Sequence, residues 1–176
     1  LNLEESNRKL SRIHNQKGVT LLQKGRFQEA AGEFARAKTL DPADPTPIYN
    51  LGLAFLLSDR TNEAVSAFEE SLRMAPYQAN ALYYLGRALL RRGDVAEAAS
   101  ALTRAVKLAP ADASARNCLA VALAKQGSVD RAIVEIKAAL SLEPENALLQ
   151  ENLACLEKGG GCALSLVALT ASSAAL

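Results

Sequence analysis

Tryptophan is absent from the 176 residues, histidine occurs once and cysteine three times. With His14 as the only imidazole, no zinc constellation can be assembled from the usual ligands. Cys118, Cys155 and Cys162 show no paired spacing and are odd in number, so the sequence predicts no disulfide framework. Reduced thiols suit a cytoplasmic setting; periplasmic and membrane-tethered settings are left open. Neither charge sign is in excess. Lys and Arg number 20 against 19 Asp and Glu, a net charge of +1. That balance lacks the basic stripe with which nucleic-acid binders displace counterions from phosphates, so nucleic acid is not an expected partner. Glycine-rich phosphate loops are missing as well. The apolar run CALSLVALTASSAAL at 162–176 is too short to span a bilayer comfortably, so no direct membrane insertion is expected. The chain begins at Leu1 without a methionine, as a processed or excised piece would.

What the chain does have is alanine and leucine. About half of the residues are apolar but only 5% are aromatic. Both favoured residue types are strong helix formers, and this composition leans toward an all-α protein with small side chains between close helices. The apolar pattern also repeats at one fixed interval, the step that separates Gly18 from Gly52 and Gly52 from Gly86. Gly18, Gly52, Gly86 and Ala120 share one slot, Ala30, Ala64, Ala98 and Ala132 a second, and Pro42, Pro76, Pro110 and Pro144 a third. The repeat divides the chain into an N-terminal extension of the first helix (1–10), four units (11–44, 45–78, 79–112 and 113–146), and a segment at 147–158 that either caps the array or starts a fifth unit. An apolar tail follows at 159–176.

Each unit reads as two amphipathic helices split by a short polar break. Gly25, Gly93 and Gly127 occupy the slot where a left-handed residue closes the first helix. Asp44, Asp112 and Asn146 stand after the prolines, where the next helix needs an N-cap, and Asn2 can cap the first helix. Asp94 and Glu97 have capping-box spacing for the second helix of the third unit. In the second helices, Ala30/Phe34/Ala37, Ala64/Phe68/Ser71, Ala98/Leu102/Ala105 and Ala132/Ile136/Ala139 each form one face, a large residue flanked by small ones. The Gly or Ala slot of the first helix leaves room for a neighbouring helix to approach.

This combination of period and slots resembles the tetratricopeptide repeat, whose unit is about 34 residues long. The large aromatic usual near the start of each unit is missing, with His14, Ile48, Leu82 and Arg116 in its place. The resemblance implies a right-handed α-solenoid of helix–turn–helix repeats, in which first helices line a concave groove and second helices form the outer wall. It implies a non-catalytic scaffold or adaptor that binds an extended peptide or helix of another protein. The alternatives are a self-associating module that forms homo-oligomers, the regulatory or targeting part of a larger enzyme, and a secretion chaperone.

Helical phase then selects the groove residues. The first unit offers Arg12, Asn15 and Gln16, and the second Tyr49, Asn50 and Leu53. The third offers Asn80, Tyr83, Tyr84, Arg87 and Arg91, and the fourth Asn117 and Val121. Asn152 continues the row. Asparagine carries a donor and an acceptor and can pair with a bound backbone whatever its sequence. Asn50 and Asn152 share one repeat slot and Asn15 and Asn117 the adjacent one. Tyrosine supplies rigid contact area, and Arg87 and Arg91, one turn apart, could receive a carboxylate. Replacing Asn50 or Tyr84 by Ala is expected to weaken partner binding and leave thermal stability nearly unchanged. The Lys/Asn set with which some family members clamp a C-terminal carboxylate is absent: Asn15, Val19, Asn80 and Tyr84 stand where Lys, Asn, Lys and Arg would be needed.

For catalysis the sequence offers little. His14 sits in an interhelix packing slot, and Cys118 has no histidine at the matching level of an adjacent helix. No cofactor is expected. The tail is read as a packed or frayed helix covering the open end of the stack, with a non-native extension and a docking segment as alternatives.

Overall fold

The computed structural model describes residues 2–159 and 163–166. Among these residues there are nine α-helices and no strand. They fall into two compact units, the first containing four helices and the second five together with residues 163–166.

In the first unit, α1 (Leu3–Gln23) pairs with α2 (Phe27–Leu40) and α3 (Pro45–Leu57) pairs with α4 (Thr61–Met74). Packing of α2 on α3 joins the two hairpins. In the second unit the hairpins are α5 (Ala79–Arg92) with α6 (Val95–Leu108) and α7 (Ala113–Lys125) with α8 (Val129–Leu142). They join through α6 and α7, and α9 (Ala147–Glu157) packs on α8.

The inner seam of each hairpin explains the recurring glycine. Phe34, Phe68, Leu102 and Ile136 are fully buried. A Cβ added to Gly18 would lie 2.6 Å from Phe34 Cε1, and one added to Gly52 would lie 2.8 Å from Phe68 Cε1. At Gly86 the added atom would run into Leu102 Cγ. The large side chain of the second helix therefore occupies the volume that any side chain on the first helix would need. In the fourth hairpin the two slots hold Ala120 and Ile136 instead, both without exposed surface.

First and second helices start differently, except that α5 begins after Gln78 without a side-chain cap bond. Asn2, Asp44, Asp112 and Asn146 each accept a backbone N–H of the first turn, at 2.9 to 3.3 Å, and so satisfy one of the otherwise orphaned donors. The second helices α2, α4, α6 and α8 have no side-chain cap bond. The expected capping box at Asp94 is therefore not formed: its carboxylate is taken by the neighbouring Arg92. The turn before each second helix needs one residue in the left-handed region. Gly25, Gly93 and Gly127 supply it at φ of 72°, 97° and 79°, and in the second hairpin Asp59 does so at 61°. Aspartate is one of the few L-residues that visit this region readily, so that break works without glycine.

No helix among the described residues is long and apolar enough to cross a membrane.

Candidate functional site

The tail supplies the most informative contact. Residues 163–166 carry no helix, which corrects the expectation of a covering helix for this stretch; the rest of 160–176 lies outside the described residues. Ser165 is held through its main chain alone by two asparagines. Asn152 Oδ1 accepts the Ser165 N–H at 2.8 Å. Asn152 Nδ2 donates to the Ser165 carbonyl at 2.8 Å, and Asn117 Nδ2 donates to the same oxygen at 3.1 Å. A further bond at 2.8 Å, from Asn152 Nδ2 to Asn117 Oδ1, fixes the two amides relative to each other. Both asparagines are buried, and Ser165 itself is exposed. This pair reads one residue's N–H and C=O and does not read its side chain.

Beside it lies a cavity of about 300 Å³, lined by Val121 and Ala124 of α7, Val129 of α8, Leu156 of α9 and Leu164 of the segment itself. The exposed ammonium-bearing Lys125 stands at its edge. The segment thus uses two kinds of contact, main-chain hydrogen bonds at Ser165 and an aliphatic side chain in an apolar hollow.

In the first unit the same amide geometry recurs. Asn50 Nδ2 of α3 donates to Asn15 Oδ1 of α1 at 2.9 Å. Both pairs are separated by 35 residues, one repeat plus one, and each joins successive first helices. Asn50 is buried and Asn15 half-buried. Their remaining groups, Asn50 Oδ1 and Asn15 Nδ2, hydrogen-bond to nothing among the described residues. These are the groups that correspond to the ones gripping Ser165.

The other residues singled out from the sequence are more buried than an open groove would leave them. Arg12, Gln16, Asn80 and Arg91 are exposed, whereas Tyr49, Leu53, Tyr83, Tyr84, Arg87 and Val121 are buried. Tyr84 retains 3% of its surface and Asn50 4%. Alanine at either position therefore removes packed atoms or a buried hydrogen bond, and the expectation of unchanged stability does not hold. Arg87 and Arg91 also differ. Arg87 is buried and donates through Nη1 to Tyr83 Oη at 2.9 Å, while Arg91 faces solvent, so they form no shared exposed receptor.

Around Arg87 the structure gathers Tyr83, Tyr84 and Cys118. The two tyrosine rings meet edge to face at 4.8 Å, and the guanidinium lies 5.6 Å from the Tyr83 ring centre. Burial pushes the Tyr83 hydroxyl above its ordinary range. It pushes the Cys118 thiol up to about 12, with Arg87 and the Tyr83 hydroxyl working in the other direction. A thiol so disposed is protonated at neutral pH and packed away from solvent, the opposite of what a nucleophile needs. Cys155, by contrast, is disulfide-bonded. That corrects the reading of all three cysteines as reduced.

The sequence reading missed a second cluster, in the first unit. Glu33 of α2 is buried, and the side chains of His14, Lys17 and Arg36 converge on it. His14 Nδ1 lies 2.6 Å from Glu33 Oε2, while Lys17 Nζ and Arg36 Nη1 lie 3.0 and 3.2 Å from Oε1. The His14 hydrogen bond, aided by Lys17, holds the carboxyl below the usual glutamate range against the opposing effect of burial. The signal available was Lys17 and His14 one turn apart on a first helix, with a glutamate on the following one. Among the described residues no three His, Cys, Asp or Glu side chains group to hold a metal ion.

Comparison with solved structures gives the same architecture. The crystal structure of MamA protein superposes with a TM-score of 0.80, at 23% identity over 87% of this chain and 84% of that one. Residues 41 to the end of MamA from Desulfovibrio magneticus RS-1 also score 0.80, at 25% identity over 85% and 86%. YrrB, described as a TPR protein with an unusual peptide-binding site, scores 0.74 at 25% identity over 84% and 77%. No curated protein sequence matches. The model of the tetratricopeptide repeat matches residues 6–45, 49–113 and 85–147. With nearly the whole helical part of the sequence covered, and with hairpins seamed at the repeating glycine slot, the chain is an all-α helical-repeat solenoid and belongs to the tetratricopeptide-repeat family.

Proposed function

We propose that this protein is a non-catalytic protein-interaction scaffold that holds an extended segment of a partner polypeptide along its first helices. The observation that carries this reading is the grip of Asn117 and Asn152 on the main chain of Ser165. Two buried side-chain amides fixed to each other form a preorganised receptor for one peptide unit, so little ordering is required when a chain arrives. The Asn15–Asn50 pair, built in the same way, extends the reading to the first unit. Exposed Arg12 and Gln16, on the same helix as Asn15, supply polar groups beside the first-unit pair. YrrB, with its peptide-binding site, lends the reading support by analogy.

The test is partner capture with Ser165→Pro, which frees the grip of the chain's own segment, and with Asn50→Ala and Asn152→Ala each added to it, carried out well below the melting temperature of each variant. Each lost main-chain bond is worth about 1 kcal/mol, and Asn152 makes two to a guest. Binding should fall by roughly tenfold or more for Asn152→Ala and by less for Asn50→Ala. Equal capture by all three folded proteins would refute the assignment.

A further inference from the structure

The asparagine pair of the second unit is already occupied, and its occupant is part of the same chain. Residues 163–166 lie only a few residues beyond the end of α9, which carries Asn152. A guest tethered so closely is present at an effective concentration on the order of millimolar. Any external segment that uses this grip must displace it.

We propose that Ala163–Leu166 is a resident ligand of the Asn117/Asn152 grip, occluding it in cis, and that it displays the chemistry of the partner that replaces it. This rests on the main-chain-gripping function proposed above. Four observations define that chemistry. The gripped residue must have an N–H, because Asn152 Oδ1 accepts it; proline is excluded there. The gripped side chain is exposed and goes unread. The residue before it is aliphatic, since Leu164 lines the cavity with Val121, Ala124, Val129 and Leu156. None of residues 163–166 carries a charge. A negative charge entering this hollow would lose hydration among Val121, Ala124, Val129 and Leu156, while the cation beside it, Lys125, is exposed at the edge, where an ion pair contributes little. The fitting partner is an extended, uncharged polypeptide segment with an aliphatic residue followed by any residue except proline.

The test uses the full chain and a fluorescein-labelled peptide of sequence Ala-Leu-Ser-Leu-Val-Ala, copying residues 163–168. Two variants release the resident segment without altering α7 or α9. Ser165→Pro removes the N–H, and Leu164→Asp places a charge at the cavity. Fluorescence anisotropy should show both variants binding the peptide about tenfold or more tightly than wild type. A peptide with proline in place of its serine should bind none of the proteins. Both release sites lie outside any helix, and circular dichroism during melting confirms that each variant is folded. If both bind no more tightly than wild type, the occlusion is refuted. Adding Asn152→Ala to Ser165→Pro separates the two readings. Loss of peptide binding in that double variant upholds the grip even where occlusion has failed; unchanged binding overturns the grip itself. Light scattering supplies the last arm. A concentration-dependent dimer that Ser165→Pro abolishes would mean that the segment is exchanged between copies, and it would overturn occlusion in cis.

Discussion

Gly86 and Gly32 are both helical glycines, and the structure predicts that the same substitution acts on them with opposite sign. At Gly86 a new Cβ would meet Leu102 Cγ, with Leu102 Cδ2 at 2.8 Å and Cδ1 at 3.0 Å. Leu102 has no exposed surface and cannot swing outward. At Gly32 a Cβ would meet nothing within 4 Å. Alanine favours a helix over glycine by about 1 kcal/mol. Overpacking a filled seam costs typically about 1–3 kcal/mol, and the closeness of Leu102 places Gly86 toward the upper part of that range. The net expectation is a loss of about 1–2 kcal/mol for Gly86→Ala and a gain of about 0.5–1 kcal/mol for Gly32→Ala. In a chain of this length the former lowers Tm by roughly 2–8 °C. The assay is urea unfolding followed by circular dichroism, with Leu102→Ala completing a double-mutant cycle. Leu102→Ala alone should cost about 2–5 kcal/mol. Combined with Gly86→Ala it should cost less than the sum, by about 1 kcal/mol or more, because the new methyl enters the vacated space. Additive losses, or a Gly86→Ala protein as stable as Gly32→Ala, would refute the account of the seam.

Two further predictions concern stability. Because the folded pKa of Glu33 lies below its unfolded value, the unfolded chain binds more protons between the two. The contribution of Glu33 is therefore complete above the ordinary glutamate value of about 4.3 and is lost as pH falls through the depressed one. Urea midpoints taken from about pH 7 down to about pH 3 should fall more steeply for wild type than for Glu33→Gln, and parallel curves would remove Glu33 as a source of acid sensitivity. At the helix starts, Asp112→Ala should cost about 1 kcal/mol because a cap bond is lost. Asp94→Ala, which loses no cap bond, should stay within about 0.5 kcal/mol, and equal losses would contradict the difference between first and second helices.

Helix positions were legible because one repeat period fixes the glycine slot, the proline and the cap together, and each is a local steric or hydrogen-bonding requirement. Asp59 shows where composition misleads: the second break needs a left-handed residue as much as the others, yet it contains no glycine. Asp94 shows the reverse, since capping-box spacing is present but a nearer arginine competes for the carboxylate. For the site, helical phase places Asn15, Asn50, Asn117 and Asn152 on first helices. Phase says nothing about how much of a side chain neighbouring atoms cover, which is why Tyr84 and Leu53 emerge buried. The tail carries no periodicity, so its contact with Asn117 and Asn152 depends on a chain reversal that no spacing encodes. The disulfide of Cys155 escaped for a related reason, as an odd cysteine count identifies no pair.

The hairpin seams have a consequence for how this molecule can change over generations. Phe34 follows Gly18 at the same short remove along the chain at which Phe68 follows Gly52 and Leu102 follows Gly86. Key and notch are therefore inherited on one short piece of chain. Duplicating, deleting or transplanting such a piece carries its internal fit intact, and only the joins to its neighbours need renegotiating.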